Sequence, residues 1–230
     1  MIVTPRPIQQ CFDFEAAKSS GGPRSPGLHL SDIYGALFKE RFPERYDKPD
    51  KGNKDIYFEI GFALELMIEM GLKLRHAYRP EEHRTEEGIY YSPDLLIEEG
   101  NKIILGEIKC TWLSSKEVPR EKHINAFPPK FDKYLVQMKG YCRSLGTPYA
   151  RLFVFFVNGK WNCKLRREEP TPELLVWDLT FNEQELEENW HMLMNYARSR
   201  GMLNGPDLQD TPRPRRHRDR PAGKRRPSTR

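Results

Sequence analysis

The 230-residue sequence is poor in cysteine: Cys11, Cys110, Cys142 and Cys163 are scattered, and no two form a CxxC pair. That spacing speaks against a zinc site, and a chain this long does not depend on a disulfide framework, so four reduced thiols are expected. Runs of 18 apolar residues are absent as well, so no membrane span is expected. Met1 to Pro7 lacks the charged-then-apolar order of a secretory signal, and an intracellular protein is the expectation. There is no internal repeat. Apolar residues make up only 37% of the chain, but they concentrate in 54–75, 89–112 and 150–165, which leaves a sizeable core available.

Charge is also unevenly spread. The net is +5, yet residues 211–230 hold nine Lys or Arg against one Asp, leaving 29 basic and 32 acidic residues in 1–210. A slightly acidic body suits carboxylates gathered around a metal ion, and a basic tail suits a polyanionic partner. Inside the body, the stretch from Lys109 to Arg143 stands out, with eight basic residues and three acidic ones.

Turn residues and periodicity divide the chain. Residues 1–27 read as an irregular arm, Ser31 as the cap of a helix over about 32–42, and 43–53 as a polar loop. Residues 54–75 form a long helix candidate. Strands are expected over 89–97 and 102–109, joined as a hairpin by Glu98-Glu99-Gly100-Asn101. A basic loop follows, then a helix over about 130–145 that stops at Gly146. A second hairpin, 151–157 with 160–166, is expected to turn at Asn158-Gly159, with a further strand over 173–179 and a last helix over 182–199. From 204 onward the composition is that of a disordered basic tail. The order implies an α/β domain, a mixed central sheet flanked by helices.

The strongest local signal is Pro93-Asp94 followed by Glu107-Ile108-Lys109. With a four-residue turn, paired positions sum to 199 and Asp94 lies opposite Leu105. Strand side chains alternate, so Asp94, Glu107 and Lys109 share one face, with Asp94 diagonal to Glu107 at roughly 7–8 Å. Two carboxylates and an amine converging in an apolar strand suit phosphodiester hydrolysis. Mg²⁺ held by Asp94 and Glu107, with the Ile108 carbonyl as a further ligand, would neutralise phosphoryl charge and activate water. Lys109 would position or deprotonate that water, or hold the phosphate. On the helix 54–75, Gly61 and Glu65 share a face, and a glycine there would let the helix approach the sheet and aim Glu65 at the ion; Glu59 is a rival. On the helix 130–145, Gln137 and Tyr141 lie one turn apart and would contact a phosphate or orient a catalytic group. The basic rim proposed for a nucleic-acid backbone comprises Lys116, Arg120, Lys122, Lys130, Lys133, Lys139 and Arg143. Trp112 and Phe127 are placed either for stacking on bases or for packing.

Together, Gly61-x-x-x-Glu65, Pro93-Asp94, Glu107-Ile108-Lys109 and Gln137-x-x-x-Tyr141 resemble the PD-(D/E)XK nuclease superfamily, in its RecB-like and lambda-exonuclease-like branch. The resemblance spans about 60–145, with Leu30-Ser31-Asp32-Ile33 as weaker support upstream. It implies a restriction-endonuclease-like αβββαβ core over a domain at 28–203, and a Mg²⁺-dependent deoxyribonuclease, with Mn²⁺ as the alternative ion. Asp94 and Glu107 would be metal ligands, Glu65 an additional one, and Lys109 the catalytic lysine. Gln137 and Tyr141 would support the site or bind DNA, and Ser31 would contact DNA. The dispersed cysteines do not fit the iron–sulfur cluster of some relatives. No helicase motif or ATP site is present, so unwinding would come from a partner. Relatives in phage recombination and in repair suggest DNA ends or single strands as substrate, an exonuclease mode, a recombination or helicase partner, and a homo-oligomer. The expected place is the cytoplasm of a bacterial or phage-infected cell, or a nucleus if eukaryotic. Two other readings compete: a non-catalytic nucleic-acid-binding module on the same fold, and a restriction-type endonuclease. The basic tail is expected to tether DNA.

Overall fold

A computed structural model describes residues 24–46, 54–71, 76–115, 118, 127–158 and 173–204. The expected N-terminal arm up to 23, the strand 160–166 and the basic tail lie outside the described residues. In chain order the elements are α1 (Leu30–Arg41), a single-turn α2 (Pro43–Tyr46), α3 (Lys54–Gly71), β1 (Ala77–Tyr78), β2 (His83–Arg84), β3 (Tyr90–Tyr91), β4 (Leu95–Glu99) and β5 (Lys102–Thr111). There follow α4 (Asp132–Leu145), β6 (Tyr149–Phe156), β7 (Glu173–Thr180) and α5 (Glu183–Ser199). Among the described residues no helix is long and apolar enough to cross a membrane.

Five strands form one mixed sheet in the order β1-β4-β5-β6-β7. The β4–β5 and β6–β7 pairs are antiparallel, whereas β5 and β6 run parallel, with α4 as the crossover between them. The hairpin is tighter than the sequence suggests. Glu99 pairs with Lys102, so only Gly100 and Asn101 turn the chain, with Gly100 at φ +61°, and paired positions sum to 201. The expected register is therefore off by two. A slip of two keeps every side chain on its face, and the site survives it. The expected strand 89–97 is broken: Tyr90–Tyr91 pairs with His83–Arg84 in a separate two-stranded sheet, and Leu95–Glu99 joins the main one. Pro93 lies at the break, where it has no amide hydrogen to give to a ladder.

Helix α1 starts earlier than expected. His29, not Ser31, is its N-cap residue, and the His29 amide donates to the Asp32 carboxylate at 3.1 Å. Asn182 caps α5, accepting from the Glu185 amide at 2.8 Å, while the Glu185 carboxylate accepts from the Asn182 amide at 3.0 Å. One face of the sheet packs with α1, α4 and α5 into the main core, which includes Leu30, Ile33, Leu105, Met138, Leu152, Val154 and Leu193. Gly140 makes this packing possible, since a Cβ there would sit 2.8 Å from Leu30 Cδ2. On the opposite face, Leu95, Ile97, Ile104, Ile108 and Phe153 form a smaller apolar layer. Helix α3 packs against β5.

Candidate active site

The site grows out of strand alternation. Leu105, Glu107 and Lys109 point to the helix-covered face, whereas Ile104 and Ile108 point away from it. Glu107 is fully buried, and Lys109 and Asp94 are 18% and 21% exposed. Asp94 precedes β4 and is free of the ladder, so its Oδ2 accepts from the Ile108 amide at 2.8 Å. The lysine ammonium lies where the two acids converge, paired with Glu107 Oε1 and 3.8 Å from Asp94 Oδ2. Gln137, buried on α4, donates its Nε2 to the same Glu107 Oε1 at 2.6 Å. Oε2 of Glu107 is buried with no hydrogen-bond partner among the described residues.

Burial first, and then the charge of Asp94, push the Glu107 carboxyl far above the ordinary carboxylate range, with Lys109 opposing. For Lys109, burial disfavours the ammonium, but Glu107 and then Asp94 outweigh it and hold the pKa well above the usual lysine value. Glu65, half-buried on α3, acts electrostatically on Glu107, Lys109 and Cys110, which brings the third acid to the same neighbourhood. Gly61 is not the reason for that approach: it faces open space, and a Cβ at that position would meet nothing within 4 Å.

Tyr141 is buried and reaches the site through Tyr34 of α1. The two phenols act on one another electrostatically, and burial, with Glu107 contributing, raises both. The Tyr141 ring lies 5.5 Å from that of Tyr91. Sequence reasoning missed Tyr34. It lies one turn after Leu30 and one before Phe38, so it reads as one more apolar residue of a helical stripe. The signal available was its hydroxyl, since a buried tyrosine tends to find a polar partner.

A cavity of about 530 Å³ opens onto Lys109 and Gln137, and Tyr34, Phe38, Arg45, Pro129, Lys130, Lys133 and Tyr134 line the rest. Lys130 and Lys133 of the expected basic rim are therefore at the site. Lys139 and Arg143 are not among its lining: Lys139 pairs with Glu185 at 3.2 Å, and Arg143 with Glu187 at 3.2 Å and Glu87 at 3.7 Å. Ser31 accepts from Arg24 at 2.5 Å, outside the cavity lining. Lys116, Arg120, Lys122 and Glu59 fall outside what the structure describes at side-chain level. Phe127 serves packing, stacked on Phe131 at 5.3 Å with its edge contact to Trp177, while Trp112 is 60% exposed.

Whether these residues suit a divalent cation turns on Glu107. A buried carboxylate oxygen without a partner, beside a second acid, is a hard-oxygen donor pair of the kind Mg²⁺ takes. Among the described residues no group of three or more His, Cys, Asp and Glu is already arranged around one point, and the Lys109 ammonium acts as the counter-ion to the two acids.

Helix α3, strands β1, β4 and β5, helix α4 and strand β6 come in the αβββαβ order that the resemblance implied, with the separate β2–β3 pair inserted between β1 and β4. The acid–acid–lysine set lies at the hairpin of this mixed sheet, where the resemblance to the PD-(D/E)XK nucleases led one to expect it. No family model and no curated protein matches the sequence. Solved structures similar to it include a phage-related exonuclease from Haemophilus somnus 129PT, at 15% identity and TM-score 0.45, over 76% of this chain and 93% of that one. An alkaline exonuclease from Laribacter hongkongensis is similar at 15% identity and TM-score 0.45, over 77% of this chain and 90% of that one. The protein SSO0001 is similar at 14% identity and TM-score 0.46, over 90% of each chain. Identity this low carries no residue's role across.

Proposed function

We propose that this protein is a divalent-metal-dependent nuclease that hydrolyses phosphodiester bonds in DNA, acting from strand ends. The observation that carries the reading is the buried Glu107 carboxylate, which shares one oxygen with Lys109 and Gln137 while the other has no hydrogen-bond partner among the described residues. Desolvating Glu107 beside a second acid and a lysine costs stability, and arrangements of this kind mark functional sites.

Glu107 and Asp94 would hold Mg²⁺ or Mn²⁺, with Glu65 and the Ile108 carbonyl completing the oxygen set. The ion, when bound, supplies charge neutralisation at the phosphoryl oxygens and lowers the pKa of a bound water. Gln137 donates to Oε1 and fixes the rotamer of Glu107, which leaves the buried Oε2 as the carboxylate oxygen for an ion. Asp94 is held from the other side by the Ile108 amide, which spaces the two acids. Lys109, whose ammonium lies where the two acids converge, would hold a phosphate oxygen or orient the attacking water. Tyr34 and Tyr141 back the site with a buried hydroxyl pair.

The test is incubation of the purified protein with linear and covalently closed DNA, with Mg²⁺ or with EDTA. Linear DNA is expected to be degraded only with Mg²⁺, and Glu107→Ala and Lys109→Ala proteins are expected to be inactive. Retained Mg²⁺-dependent cleavage by either variant would defeat the assignment. Cleavage of closed circles at fixed positions would point to an endonuclease instead, and salt-sensitive binding with no turnover under any metal would leave a binding module.

A further inference from the structure

The cavity beside the acids has a composition that catalysis does not require. Of its nine lining residues, four are cations (Arg45, Lys109, Lys130 and Lys133), three are aromatic (Tyr34, Phe38 and Tyr134), and none is an acid. Two of the cations already lie over rings of the same cavity: Lys133 Nζ is 5.6 Å from the Tyr34 ring and Lys109 Nζ is 5.8 Å from the Tyr134 ring. Its volume, about 530 Å³, falls within the roughly 300–1,000 Å³ of pockets that hold small organic ligands. Half-burial of Lys133 close to Lys109 gathers positive charge in a confined space, and burial and then the Lys109 charge lower the Lys133 pKa. Such a grouping favours an anionic guest.

We propose that this cavity is a subsite for one unpaired nucleotide of the strand being cut, in which Lys133 takes the phosphate next to the scissile one and Tyr134, with Phe38, takes the base. The inference rests on the nucleic-acid reading above and names the form of the substrate. Phosphates alone would be served by lysines on an open surface. Aromatic walls gain only from a base face that is not already stacked and paired, which a duplex interior does not offer. The strand must therefore be single, or frayed at its end, where it enters between α1 and α4.

The experiment is binding of a 5′-fluorescein-labelled hexathymidine to the full-length protein in EDTA, read by anisotropy over a range of salt, so that no turnover is involved. Wild-type protein is expected to bind it more tightly than a blunt hairpin duplex. Lys133→Ala should weaken binding about tenfold and flatten the log–log salt slope by about 0.7, the value for one phosphate contact on a single strand. Lys133→Arg should keep that slope. Tyr134→Ala should weaken binding about tenfold with the slope unchanged, and Tyr134→Phe should bind as wild type does, because the ring and not the hydroxyl stacks. Wild-type affinity and slope in both alanine variants would overturn the subsite, as would equal affinity for the blunt duplex or no binding of the oligonucleotide by wild type. If the pattern holds but the wild-type protein cleaves nothing under any metal, hydrolysis is refuted while the subsite stands.

Discussion

The two faces of strand β5 are built from alternating residues and carry opposite chemistry. On one side Ile104 and Ile108 pack with Leu95, Ile97 and Phe153 in a dry aliphatic layer. On the other, Leu105 belongs to the main core, but Glu107 and Lys109 bring charge into it. Glu107 and Ile108 are neighbours in sequence and both wholly buried. The aliphatic face uses burial to hold the sheet together. The charged face instead holds a desolvated carboxylate, fixed by Gln137, with one oxygen that has no hydrogen-bond partner among the described residues, and this costs stability.

The sharpest way to break this contrast is to change one residue on each face. Glu107→Gln should lower turnover at least about a thousandfold, on the order of 4 kcal/mol in barrier, measured as initial rates on end-labelled DNA. Ile97→Ala, on the aliphatic face, should cost roughly 2–5 kcal/mol of stability in chemical denaturation. The turnover per folded molecule of that variant should stay at the wild-type value. If Ile97→Ala lost activity faster than it lost folded protein, the two faces would not be separable.

A smaller effect is expected at the residue that supports the acid. Gln137→Ala should reduce metal-dependent turnover about 10–100-fold while leaving the fold intact by circular dichroism, since it removes the donor that orients Glu107. An unchanged rate would mean that Lys109 and packing alone fix the carboxylate.

The smallest effect is the pH dependence of stability. Glu107 rises from the ordinary 4.5 in the unfolded chain to about 8 in the fold, mainly through burial and then Asp94. A raised pKa means that the native state binds the proton more tightly. The stability it contributes is complete below about pH 4.5 and is lost as pH climbs towards 8. In EDTA the melting temperature should therefore decline across that window. The decline should be shallower when Glu107→Gln is combined with Lys109→Met, which removes both buried charges together. An identical slope in the double variant would place the titration elsewhere.

The convergence of these side chains is legible in the sequence because strand alternation has a period of two. Asp94, Glu107 and Lys109 fall on one face even in a register wrong by two residues, since parity protects the assignment. A slip of one would ruin it. Gln137 is legible as part of a helical pair, but its partner is not, because the contact to Glu107 spans 30 positions and depends on the crossover between β5 and β6. The end of the hairpin misleads for a local reason: glutamates 98 and 99 look like turn residues, yet they belong to β4, and a glycine at positive φ turns the chain in two residues. Tyr34 and Arg45 stay hidden because helix packing alone brings α1 and α2 to the site. Gly140, which lets α1 come close to α4, gives no sign of that role in a helical pattern. Lys139 and Arg143 read as rim because charge runs show only position, whereas α5 supplies the glutamates that hold them.

The most direct measurement is a crystal of the full chain soaked in Mn²⁺, with the anomalous signal mapped around the hairpin. The account expects a peak between the side chains of Asp94 and Glu107, in contact with Glu107 Oε2, with the Lys109 ammonium moved off the acids. No peak at saturating Mn²⁺, with Lys109 still seated on Glu107, would contradict it.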